Sequence, residues 1–247
     1  MKGILVDRVF VAHVKKGYEN RRAFMEKQLA ERAIPFEFML DGDMEDITQE
    51  ILERDFKGEM KKSSPVTSCA LKHLLIWRKI VEEEIPYTLV MEDDAIMDVS
   101  FNEVFNRSVL EARERTDIDH SNLYISFENT GLEYLPAGKK RKGQLLYRAE
   151  KTRGGGAYLL SYEAARIMVE WTNKHKMDVP NDLWLNKVFE ASPEMNIFWC
   201  FPTVVEQGSH NGVFRSSLQR KKRVGILRRI GWVVQRFYKK YIYSKVK

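Results

Sequence analysis

Cysteine is scarce. Two in 247 residues cannot build a disulfide framework. Cys69 and Cys200 sit in apolar contexts, TSCAL and FWCFP, and read as small buried hydrophobes of a reducing compartment, with no metal or redox motif to be made from them. Long apolar runs are missing too, and nothing approaches the length of a membrane-spanning helix. The opening MKGILVDRVFVAHVKK places charges on both sides of a short apolar run and lacks the length and cleavage pattern of a signal peptide, so a cytoplasmic chain is expected. No internal repeat or low-complexity linker interrupts the sequence. The last absence is local: residues 221–247 hold ten basic side chains and no acidic one, so the net charge of +6 hides a body of net −4. A nucleic-acid-binding body is excluded, because phosphate contacts need basic charge spread over a folded face.

What remains is the composition of a globular protein, 44% hydrophobic and 31% charged, long enough to bury a full core. Strand-like and helix-like stretches alternate, which predicts an α/β fold with a central, mostly parallel sheet. Expected strands are 8–14, 36–40, 87–91, 122–127, 144–149, 154–161 and an aromatic final strand over 196–207. Expected helices are 18–33, 66–84, 101–115, 161–174 and 181–190. The clearest helix, 66–84, aligns Cys69, Ala70, His73, Leu74, Trp77, Ile80 and Val81 along one side and stops before Pro86.

The strand YTLVM runs straight into Glu92, Asp93 and Asp94. Ligands of open α/β sheets bind at the carboxyl ends of strands, and adjacent carboxylates suit a divalent cation. A solvated acidic turn would show the same sequence. Three glycines, Gly154, Gly155 and Gly156, allow close backbone approach to a ligand or else form a bulge; no Lys-Ser or Lys-Thr follows, so they are not a phosphate loop.

Five blocks in order, VFVAHVKKGYENRRAFMEKQL, CALKHLLIWRKIV, LVMEDDAIM, GGGAYLLSYEAARIM and VPNDLWL, resemble glycosyltransferase family 25, the bacterial lipooligosaccharide galactosyltransferase type, over roughly residues 9–210. The resemblance implies a GT-A-like single domain over 1–220 and an inverting, metal-dependent transfer of a sugar, galactose above all, from a UDP-sugar to a lipooligosaccharide or other lipid-linked glycan. It implies Mn2+ or Mg2+ held by Asp94 and Glu92, with Asp93 turned to ribose or supporting its neighbours. A later residue, His210 or Arg215, would complete the metal or diphosphate site; a surface loop is the plain alternative. Arg21 and Arg22 match an arginine pair, with Arg21 the better candidate for the diphosphate or base, unless they are exposed charges paired with Glu19 or Glu26. His13 would meet the base or ribose, and the three glycines would cradle the donor sugar. Asp182 would be the base that deprotonates the acceptor hydroxyl, with Asp178 as second candidate, although a carboxylate there also caps a helix. The chain departs from the family at Ala12-His13-Val14, Val66, Ser68 and Lys72, all around the nucleotide pocket. The alternative reading is a non-catalytic nucleotide- or glycan-binding domain recruited to membranes.

In the tail, 221–247, helical spacing puts Leu227, Ile230, Val234, Phe237, Tyr238 and Tyr241 on one arc, with Arg228, Arg229, Arg236, Lys239 and Lys240 opposite. A basic amphipathic helix with Trp232 and several tyrosines predicts peripheral attachment to the anionic inner face of the cell membrane. A core-packed helix or an RNA-binding arm are the competing readings.

Overall fold

The structure, a computed structural model, describes residues 3–214 and 226–239. Arg215 and the tail residues beyond Lys239 lie outside that range. In chain order the strands are β1 (Arg8–Ala12), β2 (Glu37–Met39), β3 (Tyr87–Glu92), β4 (Ala95–Met97), β5 (Leu123–Ser126), β6 (Leu146–Arg148), β7 (Ala157–Ser161), β8 (Asn196–Cys200) and β9 (Val205–Gln207). The helices are α1 (Glu19–Glu31), α2 (Gln49–Asp55), α3 (Pro65–Glu82), α4 (Phe101–Glu114), α5 (Tyr162–His175), α6 (Asn181–Ala191), α7 (Gly208–Asn211) and α8 (Ile226–Phe237).

Seven strands form one sheet in the order β2-β1-β3-β7-β5-β8-β6, and β4 pairs with β9 in a separate ribbon. Only β7 and the edge strand β6 run against the other five, so the sheet is mostly parallel, as expected. Side chains alternate between its two faces. Phe10, Val90, Tyr158 and Leu160 enter one core, packed with Trp77, Ala164 and Trp184 from α3, α5 and α6. Val9, Val11, Leu89, Met91 and Leu159 enter the other, with Met25, Leu29, Phe101 and Phe105 from α1 and α4. Burial on both faces explains why these strands read as continuous apolar runs.

The sequence of α3 shows why it forms where it does. Ser64 accepts a hydrogen bond from the Thr67 N–H at 3.1 Å and Pro65 opens the first turn, both suited to a helix start. Ala70, Leu74, Trp77 and Ile80 are then buried along one face.

Two expectations fail. The single strand over 196–207 is two, because Pro202 has no N–H to donate to a ladder; β8 stays in the main sheet while β9 crosses to β4. Helix α2, like the short strand β4, has no counterpart among the expected elements. Its interior offers only Ile51 and Leu52 to a periodic pattern, and its start is fixed by Thr48 Oγ1 accepting from the Ile51 N–H at 3.2 Å.

Between the layers, the Trp77 indole N–H donates to the Tyr158 hydroxyl at 2.8 Å, and that hydroxyl lies 2.9 Å from His73 Nδ1. All three side chains are fully buried. Tyr158→Phe is expected to cost about 1–3 kcal/mol by leaving the indole N–H unpaired, read as a lower urea midpoint at unchanged slope. An unchanged midpoint would show that this polar chain contributes nothing to the fold.

Candidate active site

The acidic cluster occupies the turn from β3 into β4 and lines a cavity of about 560 Å3. Its three carboxylates have different surroundings. Both oxygens of Asp93 are engaged: Arg21 Nη1 donates to one at 2.6 Å and His13 Nδ1 to the other at 2.7 Å. All three residues are buried, and the Arg21 guanidinium also lies 4.9 Å from the Tyr18 ring. Asp94 Oδ2 accepts from the Ser209 N–H at 3.1 Å, while its Oδ1 is buried without a hydrogen-bond partner. Glu92 Oε2 accepts from the Gln207 amide at 2.9 Å. Burial, foremost, and then the charges of Asp94, Asp93 and Asp182 hold the Glu92 carboxyl well above the ordinary range.

His73 lies behind Glu92, its Nε2 at 3.5 Å from Oε1, and burial pulls its imidazole down to about 4, so it is neutral near pH 7. Because the Trp77 N–H already donates to Tyr158, the tyrosine hydroxyl is free to donate to His73 Nδ1, which leaves the ring proton on Nε2 facing Glu92. Cys69 Sγ, His73 Nε2 and Glu92 Oε1 lie within 4.8 Å of one another. With that tautomer, and with burial raising the Cys69 thiol, they form a polar contact rather than a ligand set.

Across the cavity, Gly154 and Gly155 line the wall and Gly156 stands just behind it. A Cβ on Gly154 would lie 2.6 Å from the Glu128 carboxylate, one on Gly155 2.7 Å from the Asn181 amide, and one on Gly156 2.8 Å from Gln207. The glycines therefore make room for protein side chains at least as much as for a ligand. Glu128, fully buried, accepts from the Gly156 N–H and the Thr130 hydroxyl. Asn181 is buried at the start of α6 with neither amide atom hydrogen-bonded.

Of the residues expected at a site, His13, Arg21, Glu92, Asp93, Asp94, Gly154, Gly155, Asp182 and His210 share this cavity. Three do not. Asp178 is held by Lys187 at 2.8 Å and Lys57 at 3.8 Å, away from the cavity, which corrects its candidacy as a base. Arg22 pairs with Glu26 at 3.0 Å on the exposed side of α1, because one residue turns the helix face by about 100° away from Arg21. Gly156 does not line the cavity; its carbonyl accepts from the Glu92 N–H at 2.9 Å and its N–H donates to Glu128.

Sequence reasoning missed Glu128, Asn181, Gln207 and Arg153, and placed Lys72 around the nucleotide pocket as a departure from the family without giving it a role. Glu128 and Arg153 carried a usable signal: a charged residue directly after a buried strand, and one directly before three glycines. Arg153 is buried and donates to the Ser126 and Cys200 carbonyls, tying β5 to β8. Lys72 is saturated by the Leu40 and Asp41 carbonyls and by Asp43, and so fixes the 41–43 turn. Gln207 had no sequence signal.

A divalent cation fits Asp94, whose unpartnered buried oxygen is a hard ligand in a cavity where carboxylates repel one another. Glu92 and His210 line the same cavity, but among the described residues the three do not close into one ligand cluster.

Carboxylates gathered at the strand ends of an α/β sheet mark the site of an α/β enzyme. The profile of glycosyltransferase family 25, described as an LPS biosynthesis protein family, matches residues 7–185, and the chain belongs to that family. It is 22% identical over 193 residues to the lipooligosaccharide biosynthesis protein lic2B of Haemophilus influenzae, covering 74% of this chain and 71% of that one. Among solved structures it is similar to mannose-1-phosphate geranyltransferase from Thermus thermophilus (TM-score 0.33, 12% identity, covering 81% of this chain and 74% of that one). It is also similar to the inositol-1-phosphate CTP transferase from T. maritima (TM-score 0.37, 9% identity, 83% and 90%).

The Glu128 carboxyl is pushed up from 4.5 to about 7, by burial foremost. A carboxyl that keeps its proton in the fold stabilises below its unfolded value and loses that contribution as pH rises through its folded value. Glu128→Gln is therefore expected to flatten the fall in stability between about pH 5 and pH 7, by about 3 kcal/mol at most. Chemical denaturation at several pH values checks this, and an unaltered slope against pH would contradict it.

Proposed function

We propose that this glycosyltransferase moves a hexose, galactose in our reading, from a UDP-sugar to a lipooligosaccharide or other lipid-linked glycan with inversion at C1, and that it requires Mn2+ or Mg2+. The observation that carries the reading is the unpartnered Asp94 Oδ1, buried in a cavity that Glu92 and Asp182 also enter. Asp94, with Glu92 and His210, would hold the cation, which supplies neutralising charge for the departing diphosphate.

The remaining steps belong to this chain's side chains. Asp182 lies in the first turn of α6, exposed to the cavity, and among the described residues no ion pair engages it, in contrast to Asp178. In this mechanism the acceptor hydroxyl oxygen attacks C1 as the C1–O bond to the diphosphate breaks, and the hydroxyl proton passes to the Asp182 carboxylate. UDP leaves from the opposite face, which sets the inverted product. Arg21 keeps Asp93 paired, so that Asp93 does not compete for the cation.

Asp94→Asn is expected to lower kcat/KM by at least about a hundredfold while the melting temperature holds, because an amide is a poorer ligand and carries no charge. Near-normal turnover with saturating Mn2+ would remove Asp94 from the site. Asp182→Asn separates binding from chemistry: UDP-sugar affinity should persist and transfer should fall about a hundredfold or more, since the amide cannot take the proton. A loss confined to donor affinity would mean Asp182 binds the donor instead.

A further inference from the structure

Helix α8 meets the body in an inverted sense. Trp232, half-buried, has its ring 6.2 Å from the His210 ring of α7, and Arg236 pairs with Glu206 of β9. At 100° per residue these two contacts lie about 40° apart on one side of the helix. Ile230, Val233, Val234, Phe237 and Tyr238 fall within an arc of about 140° on the other side. Those five side chains are between 52% and 62% exposed. A helix packed to complete a core buries its apolar arc and leaves its charges in water; here Trp232 and Arg236 touch the body and the apolar arc from Ile230 to Tyr238 faces outward. The core-helix reading of the tail is thus reversed in the described residues.

The charges say what can cover such a face. Every charged residue from 221 to 247 is basic, Arg228, Arg229, Arg236 and Lys239 among them. A second copy would set ten positive charges against ten. An anionic lipid surface instead is attracted by the net positive charge of the segment, accepts the apolar arc to the depth of its headgroup boundary, and suits Tyr238 at that level. We propose that α8 seats the enzyme on an anionic lipid surface. Its docked edge would then keep the bilayer next to the cavity, because His210 both lines that cavity and contacts Trp232. The attachment stands apart from the reaction; only the advantage to a lipid-linked acceptor rests on the proposed function.

The test uses the full chain and needs no turnover. Cosedimentation with vesicles of phosphatidylglycerol and phosphatidylcholine in roughly equal parts should capture it at low ionic strength, phosphatidylcholine alone should capture far less, and high salt should release it. The double substitution Val233→Glu and Val234→Glu, at exposed positions, should leave the melting temperature unchanged and weaken vesicle binding about tenfold or more. Transfer to a small soluble acceptor should be unchanged in this variant and transfer to a vesicle-embedded acceptor reduced. Failure of the intact chain to bind anionic vesicles at low salt would overturn the proposal, as would equal binding by the variant. A concentration-dependent dimer abolished by the same substitutions, without lipid binding, would assign the face to a second copy. Vesicle binding without any transfer would leave the proposal standing and count against the proposed function alone.

Discussion

The carboxyl end of β3 depends on the buried charge of Asp93 being shared between Arg21 and His13. An isolated carboxylate at that depth costs several kcal/mol, and here it follows Glu92 and precedes Asp94, which repel it. Arg21 comes from α1 and His13 from the end of β1, so one carboxylate fastens a helix and a neighbouring strand to β3. Such a buried pair adds little net stability over an apolar substitute, but losing either partner strands a charge. Its value is positional: with both Asp93 oxygens engaged by Arg21 and His13 in the cavity wall, Glu92 and Asp94 are the members of the turn left to a ligand.

That division gives three adjacent residues three kinds of chemistry. Glu92 is buried beside the neutral His73 and held toward its protonated form, and the Gln207 amide anchors one of its oxygens. Asp94 is hung from the Ser209 backbone N–H with one oxygen left over. Asp182 stands across the cavity on an independent element, free of the constraints of the β3 turn. The glycine run completes the arrangement by omission, since any Cβ at 154–156 would displace Glu128, Asn181 or Gln207.

The sheet was largely legible because strands buried on both faces must be apolar throughout, and the parallel order follows from their alternation with helices. The acidic turn was legible for the same reason: carboxylates directly after YTLVM have nowhere to go but the strand end. The limits appear at Asp178 and Asp182. They are four residues apart in similar polar company, and only the fold brings Lys57 and Lys187 to the first while opening the second to the cavity. Arg21 and Arg22 were separable in principle by helical phase. The break at Pro202 was visible as a proline within an apparent strand. Its consequence, that the following residues leave the main sheet to pair with β4, depends on contacts more than a hundred residues apart.

That departure links the two halves of the functional reading. Once past Pro202, alternation along β9 sends Gln207 to Glu92 on one side and Glu206 to Arg236 on the other. After Gly208 the next two residues repeat the division, Ser209 holding Asp94 and His210 contacting Trp232. Gly208 permits the close turn, since a Cβ there would lie 2.4 Å from Phe214, and Phe214 in turn packs edge-on against Phe24 of α1. Within residues 206–210, Gln207 and Ser209 therefore contact the carboxylates of Glu92 and Asp94 while Glu206 and His210 contact α8. The residues that contact α8 thus flank those that hold Glu92 and Asp94 in place.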